Sequence, residues 1–535
     1  MTRLSFLSPQ LRAPLPAPDL DDALRIPQAT LEAIREPALA AQGELLRRKV
    51  ERIVVLMLEN RSFDHLLGWL GPENGGLSGQ ESNPVPGYTT GKGSGLVPVF
   101  QVSDTSLPIS PPHAGNATFL QINGGKMDGF LRVFIPNRTE EIAAAPDVEG
   151  HPPSHIPMAY YGRESLPAYR HLVEQHTVCT RYHASVPAGT WPNRLYLYAG
   201  NCGGLFKNGS AFPRDEAYDD QMPKKLLVDL LTAAKVDWAV YAHGIAWMRL
   251  FKGRFEGPLD KTHDFRRFDE HCRRGNLPSV SFIDPNWADL GYEATANDDL
   301  APCDLMNGQR LVAEVYNSLR ELPKEQAEKT LFVVTYDEHG GFFDHVAPGP
   351  TIGRDSKETD NRFATYGVRV PTFVVSPYAP AGLSDVLFDH ASLHATIHRT
   401  FLPGVRLLGP RAQVADTFAT LLTLDTPRPK PPAMDVPSRR EQRKADPEQW
   451  RADREERRDR LHEKREDRRE DRREDRQERR DERQDARQDR REARQNNRQD
   501  RREDRQERRS YKADAEDGGF RAWVSSLRGT LSPPG

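Results

Sequence analysis

Five stretches of the chain are apolar at nearly every position and stop abruptly at polar, glycine or proline residues: RIVVLMLE from Arg52, DWAVYAHG, PSVSFIDP, TLFVVTYDE and VPTFVVSPY. Runs of this length without alternation suit strands covered on both faces, because a half-exposed strand would be polar at every second place. Between them, KKLLVDLLTAAK (Lys224 to Lys235) and NGQRLVAEVYNSLREL (Asn307 to Leu322) repeat apolar residues at helical spacing. This alternation predicts an α/β fold with a mainly parallel sheet and helices on both faces. In such sheets ligands collect beyond the carboxyl ends of the strands, where the loops converge. The polar residues that end each run are therefore the first place to look for chemistry.

The ends of the chain follow other rules. Residues 1–50 form a lead-in: a Pro-rich start, then PQATLEAIREPALAAQGELLRRKVE, whose spacing predicts a helix broken near Pro37. The strand–helix alternation occupies residues 51–425, a Pro-rich linker residues 426–438, a low-complexity tail residues 439–512, and a short end residues 513–535. Arg439 to Arg509 holds 29 of the 75 Lys and Arg and 24 of the 78 Asp and Glu, so the tail is net +5 and the rest net −8. A mildly acidic body gives no reason to expect nucleic-acid binding, which needs clustered unpaired cations. Only the tail could carry such a contact. It contains DRREDRQERR twice, at 471–480 and 500–509. On a helix its Glu residues repel at i, i+4 and attract Arg at i, i+3, each on the order of tenths of a kcal/mol. A single charged helix and a disordered segment are both compatible with that balance.

Cys179, Cys202, Cys272 and Cys303 are too few and too scattered for a disulfide framework or a zinc cluster and read as buried thiols. No cleavable leader is recognisable at the start, which makes a cytoplasmic location the default, with export by a signal-independent route as the alternative. No apolar run is long enough to span a membrane, although contact with a membrane surface stays compatible with the sequence. Nothing in it sets an oligomeric state.

Glu59 and Asn60 end the first apolar run; Asp337 and Glu338 end the fourth. Three carboxylates at two strand ends of one sheet repel unless a cation sits among them. Taken singly, each is equally a loop cap or an ion-pair partner. In YHASVPAGTWPNRLYLYAG, Thr190 stands between small residues and a helix-like stretch, with Asn193 and Arg194 as nearby donors. A threonine hydroxyl is a poor nucleophile unless a metal lowers its pKa. Its alternative reading is a helix N-cap.

ENRSFDHLLGWL, PPHAGNATFLQINGGKMDGF, GTWPNRLYLYAG, LPSVSFIDP, TYDEHGGFFDHV and RVPTFVVSPYAP with FDHASLHATI resemble, in order, motifs of the bacterial phosphoesterase family that contains non-haemolytic phospholipases C and related acid phosphatases. They run from Arg52 to about Leu424. The resemblance implies an alkaline-phosphatase-like, three-layer α/β/α sandwich with a divalent metal, of unspecified identity, at the carboxyl edge of the sheet. It implies Glu59, Asn60, Asp337 and Glu338 as metal ligands, Thr190 as a nucleophile that also touches the metal, and His113 as a contact to the phosphoryl group. His243, in VYAHG, stands where some members carry a second such histidine. One departure is evident: members often read Asp-Asp-His-Pro where this chain has NDDLAPCD, so Leu300 replaces an expected histidine. His243 or His339 would be the nearest substitutes. His65, His345 and His390 are candidates for orienting the site.

These readings lead to a metal-dependent phosphoric ester hydrolase working through a phosphothreonine intermediate. Phospholipase C-type cleavage of a phospholipid or another phosphodiester is expected, with His113, Asn193 and Arg194 stabilising the phosphoryl oxygens. The alternatives are an acid phosphatase-type phosphomonoesterase and a non-catalytic interaction protein acting through its charged tail.

Overall fold

In the computed structural model, residues 27–86, 95–209, 216–251, 261–288, 296–353 and 361–437 are described. The central sheet has eight strands: β1 (Arg52–Leu58), β2 (Thr177–Cys179), β3 (Trp238–Ala242), β4 (Thr262–Asp264), β5 (Val280–Asp284), β6 (Thr330–Tyr336), β7 (Phe373–Val375) and β8 (Gly382–Ser384). Their order across the sheet is β8-β2-β7-β6-β1-β5-β3-β4. All pairs are parallel except those of β7, which runs antiparallel to both β6 and β2. In β1 every residue after Arg52 is buried, and in β6 every residue is buried, as continuous apolar runs require.

The helices that cover the sheet are α1 (Gln28–Lys49), α2 (Pro167–Gln175), α3 (Thr190–Ala199), α4 (Leu227–Ala233), α5 (Arg266–Arg274), α6 (Leu305–Leu319) and α7 (His390–Phe401). They divide between the faces according to strand parity. Val240 pairs with Phe282 and Tyr241 with Ile283, so alternate residues of β3 and β5 point to opposite sides. Phe282 meets Tyr198 of α3 at 5.2 Å, and α7 packs on α1 and α3. On the other face Tyr241 donates to His271 of α5 at 2.7 Å, Tyr169 of α2 stacks on Phe373 at 5.7 Å, and α6 packs on α2 and α5. The three-layer α/β/α expectation is therefore met.

One expectation for the ends needs correcting. The helix is not broken at Pro37: α1 runs through it. An interior proline loses a backbone bond and crowds the carbonyl four residues earlier, at a cost of about 3 kcal/mol. Leu31, Leu39 and Leu46, buried on both sides of Pro37, hold the helix against that cost. The Pro-rich stretch that follows the last helix is held to the body. Over residues 426–437 the chain lies along α6 as a strap: Asn317 donates to Met434 O at 2.9 Å and accepts from Met434 N at 3.0 Å, and Met434 is buried. All four cysteines are buried, and none is in a disulfide. Among the described residues no helix is long and apolar enough to cross a membrane. The tail, and with it the choice between helix and disorder, lies outside the described residues, as do residues 1–26.

Candidate active site

The pairing of β1 with β6 creates the centre of the site. The two strands run parallel from Arg52 opposite Thr330 to Leu58 opposite Tyr336. The next residues, Glu59 and Asp337, consequently leave the sheet side by side. Asp337 N donates to Leu58 O at 3.1 Å, Arg61 N to Glu338 O at 3.0 Å, and Glu59 N to Asp298 O at 2.7 Å, so the backbone fixes the acidic groups before any side chain does. Asn60 has φ 62°, in the left-handed region that non-glycine residues seldom enter, and its N–H donates to Asp337 Oδ1 at 3.0 Å. Gly340 passes directly over it. With φ 65°, a Cβ there would lie 2.1 Å from Asn60 O.

Thr190 opens α3, and its hydroxyl donates to Glu59 Oε2 at 3.2 Å. One turn on, Arg194 lies fully buried beneath the acids. Its Nη2 donates to Met57 O at 3.1 Å, Leu58 O at 3.2 Å and Glu59 Oε1 at 2.8 Å, its Nε lies 3.5 Å from Asp337 Oδ2, and its guanidinium covers the Trp287 ring at 4.6 Å. Asn193, also buried, spends its amide on the loop before the helix: Nδ2 donates to Val186 O, Ala188 O and Gly189 O, and Oδ1 accepts from Val186 N. Both residues, expected to face the substrate, have these donors directed at protein atoms.

His113 borders the same cluster and stays partly exposed. Its Nδ1 lies 2.7 Å from Pro111 O, an acceptor, so the neutral ring carries its proton there. Nε2 then faces Asn60's amide at 3.2 Å and Glu338 Oε1 at 3.7 Å. The far end of that amide lies 2.5 Å from Glu338 Oε1 and 3.3 Å from Asp337 Oδ1. Turned with its nitrogen toward the acids, the amide donates to both carboxylates and leaves its oxygen on His113 Nε2 at 3.2 Å.

Asp337 Oδ2 is buried without a hydrogen bond. Burial, and then the charge of Asp337, push the Glu338 carboxyl up to about 8 despite the attraction of His113. Three buried carboxylates at adjoining strand ends, only two of them within reach of the one guanidinium, with the Asn60 amide beside them, fit a divalent cation bound through oxygen.

The remaining histidines support this centre or stand apart from it. His339, buried and pushed down to about 3, places Nε2 2.9 Å from Gln121 Oε1 and Nδ1 3.1 Å from Glu338 Oε2. His390, at the start of α7 and also pushed down to about 3 by burial, holds Asp337 O at 2.7 Å through Nε2. His65 takes Arg61 Nη1 on Nε2 and donates from Nδ1 to Ala159 O. His345 Nδ1 bonds Asp64 Oδ2 at 2.7 Å, and Asp64, Asp344 and His345 converge closely enough to hold a metal. The Arg369 guanidinium already bridges both carboxylates, at 3.0 Å to Asp64 and 2.9 Å to Asp344, so that cluster has its cation. His243, just past β3, is exposed and stacks on Phe265 at 4.3 Å. Leu300 is buried in a small apolar cluster with Ala288, Ala296 and Cys303.

Three residues of the site gave no earlier signal of their own. Asp298 carries the carbonyl that fixes Glu59 N, and Gln121 ties His339 to Pro112 O. Asp284 ends β5, accepts from Trp247 N at 2.7 Å and is pushed up to about 6 by burial. Of these, Asp284 was findable, since it ends an apolar run as Glu59 and Asp337 do.

The Phosphoesterase family model matches residues 50–402. Non-specific phospholipase C6 of Arabidopsis thaliana is 32% identical over 424 residues, covering 75% of this chain and 77% of that one. Phospholipase C A of Mycobacterium tuberculosis is 28% identical over 433 residues, covering 71% and 78%. Among solved structures, a protein in the alkaline phosphatase superfamily from Vibrio parahaemolyticus aligns with a TM-score of 0.31 at 12% identity, over 70% of this chain and 77% of that one.

Proposed function

The chain belongs to the Phosphoesterase family and is a phosphoric ester hydrolase, and from that premise we propose that it cleaves phosphodiesters in the manner of a phospholipase C, with Thr190 as nucleophile. The observation that supports this most directly is the Thr190 hydroxyl, at a helix start, donating to Glu59 Oε2 at 3.2 Å beside Asn60, Asp337 and Glu338.

Thr190 Oγ attacks phosphorus while its proton leaves along the hydrogen bond to Glu59. The bond from phosphorus to the alcohol oxygen breaks, leaving a phosphothreonine, and water then cleaves that ester to release the phosphorylated headgroup. A divalent ion held by Glu59, Asn60, Asp337 and Glu338 would supply the charge that lowers the hydroxyl pKa and offsets the phosphoryl oxygens. Arg194 keeps Glu59 and Asp337 at their separation from below. His113, with Nδ1 held by Pro111 O, presents Nε2 to the leaving group: in its imidazolium form it gives the Nε2 proton to the departing alkoxide and recovers one from the water that cleaves the phosphothreonine. Leu300, in its apolar cluster, contributes no proton.

Thr190→Ala in the purified, metal-supplied protein tests the proposal on a chromogenic phosphodiester and a chromogenic phosphomonoester. kcat should fall by about 10³ or more while metal content is kept, as loss of a covalent nucleophile requires. Unchanged hydrolysis removes Thr190 from the mechanism, and a preference for the monoester replaces the phospholipase C reading with a phosphatase one.

A further inference from the structure

We propose that the helix Asn116–Ile122 and the turn after it form a ledge that adsorbs to an anionic phospholipid surface, an inference that rests on the hydrolase reading above and names where its substrate is met. Phe119 and Leu120, consecutive on this helix, are 43% and 49% exposed, and few large apolar side chains among the described residues are as open to water. The opposite side of the helix is tied to the site. Thr118 Oγ1 donates to His113 O at 2.8 Å, Gln121 Nε2 donates to Pro112 O at 2.8 Å, and Gln121 Oε1 meets His339 Nε2 at 2.9 Å. The helix is thus held by polar bonds on the active-site side and leaves its apolar pair turned to solvent.

The surroundings are cationic. Lys126 is exposed just beyond the turn, Arg132 donates to Leu120 O at 3.2 Å, and Arg362 donates to Asn116 Oδ1 at 2.6 Å while its guanidinium lies over Phe206 at 4.0 Å. Asp128, a nearby carboxylate among the described residues, accepts from Asn123 Nδ2 at 2.6 Å. At Gly124 a Cβ would meet nothing within 4 Å, so this position of the turn is open, while one at Gly125 would only touch Ala347 at 3.7 Å. Adjacent apolar side chains rimmed by cations suit an interface between acyl chains and anionic headgroups, and suit a second protein surface less well. Adsorption there would deliver headgroups to His113, whose carbonyl the same helix holds.

The experiment compares the full chain with Phe119→Ser/Leu120→Ser and with Lys126→Glu, by co-sedimentation with phosphatidylcholine vesicles with and without phosphatidylserine. Both hydrolysis of vesicle lipid and hydrolysis of a water-soluble chromogenic phosphodiester are followed. The double serine variant should bind vesicles about tenfold more weakly or worse and lose vesicle hydrolysis in step. Its rate on the soluble ester should be unchanged, which also certifies its fold. Lys126→Glu should weaken binding only to the phosphatidylserine vesicles. Equal vesicle binding by the double variant and wild type overturns the ledge, as does a wild type that hydrolyses the soluble ester but binds no vesicle. A change confined to self-association, read by sedimentation velocity, reassigns the patch to a second copy of the chain. Adsorption through Phe119 and Leu120 by a protein that hydrolyses no ester leaves the ledge standing and removes the hydrolase reading.

Discussion

Replacing Arg194 with Met separates the buried guanidinium from the loops as the agent that holds the acidic strand ends together. Methionine keeps an apolar stem of similar reach and removes the charge. Glu59 and Asp337, both buried, would then lose the cation that bonds one of them at 2.8 Å and lies 3.5 Å from the other, and the carbonyls of Met57 and Leu58 would lose a donor. Removing one partner of a buried ion pair costs about 3–5 kcal/mol, since the stranded charge keeps its desolvation penalty. Urea unfolding in the presence of EDTA should show that loss. A divalent ion at about a hundred times its wild-type Kd stabilises the wild type by about 2.7 kcal/mol. At that same metal concentration the gain should be larger in Arg194→Met, because no resident cation competes for the carboxylates. A loss below about 1 kcal/mol in EDTA would refute this account of the buried pair. Equal metal gains in the two proteins would refute it as well.

Two further outcomes follow from the same geometry. Glu338 ionises ordinarily in the unfolded chain, from a reference value of 4.5, but only at about 8 in the fold, so the metal-free fold should weaken as pH rises between those values. His339 and His390, held near 3, act in the opposite sense, and their contribution is complete once pH exceeds the unfolded value of 6.5. Between pH 6.5 and 8, denaturation of the EDTA-treated wild type should show falling stability, and Glu338→Gln should be flat there; a flat wild type would contradict the assignment. Gly340→Ala should cost about 1–3 kcal/mol and weaken metal binding in calorimetry at least about tenfold, because its Cβ would drive into Asn60 O. Gly124→Ala, at nearly the same φ but in open space, should leave metal binding unchanged, and equal behaviour of the two would argue against steric displacement of Asn60.

The long buried strands were readable because a strand covered on both faces leaves an uninterrupted apolar run, as in RIVVLML and TLFVVTY. Thr177–Cys179, Thr262–Asp264 and Gly382–Ser384 escaped, since three residues carry no period. The reversed direction of Phe373–Val375 escaped for another reason: apolarity does not encode polarity of the chain. At the site, Glu59, Asn60, Asp337 and Glu338 were visible as strand ends. The work of Asp298 and Gln121 was not, because one acts through its backbone carbonyl and the other through contacts far apart in sequence. Arg194 and Asn193 were recognised as polar donors beside Thr190, but only the packing of α3 on the sheet shows those donors turned inward.

The in-register pairing of β1 with β6 also sets what the gene can tolerate. A residue inserted within either strand would carry Glu59 or Asp337 about 3.3 Å along the sheet and turn it to the opposite face. A residue inserted in the turn around Gly124 would leave that registry untouched. Length variation should therefore accumulate in the outer turns and vanish from the two central strands, making the hydrogen-bond ladder itself the inherited template of the site.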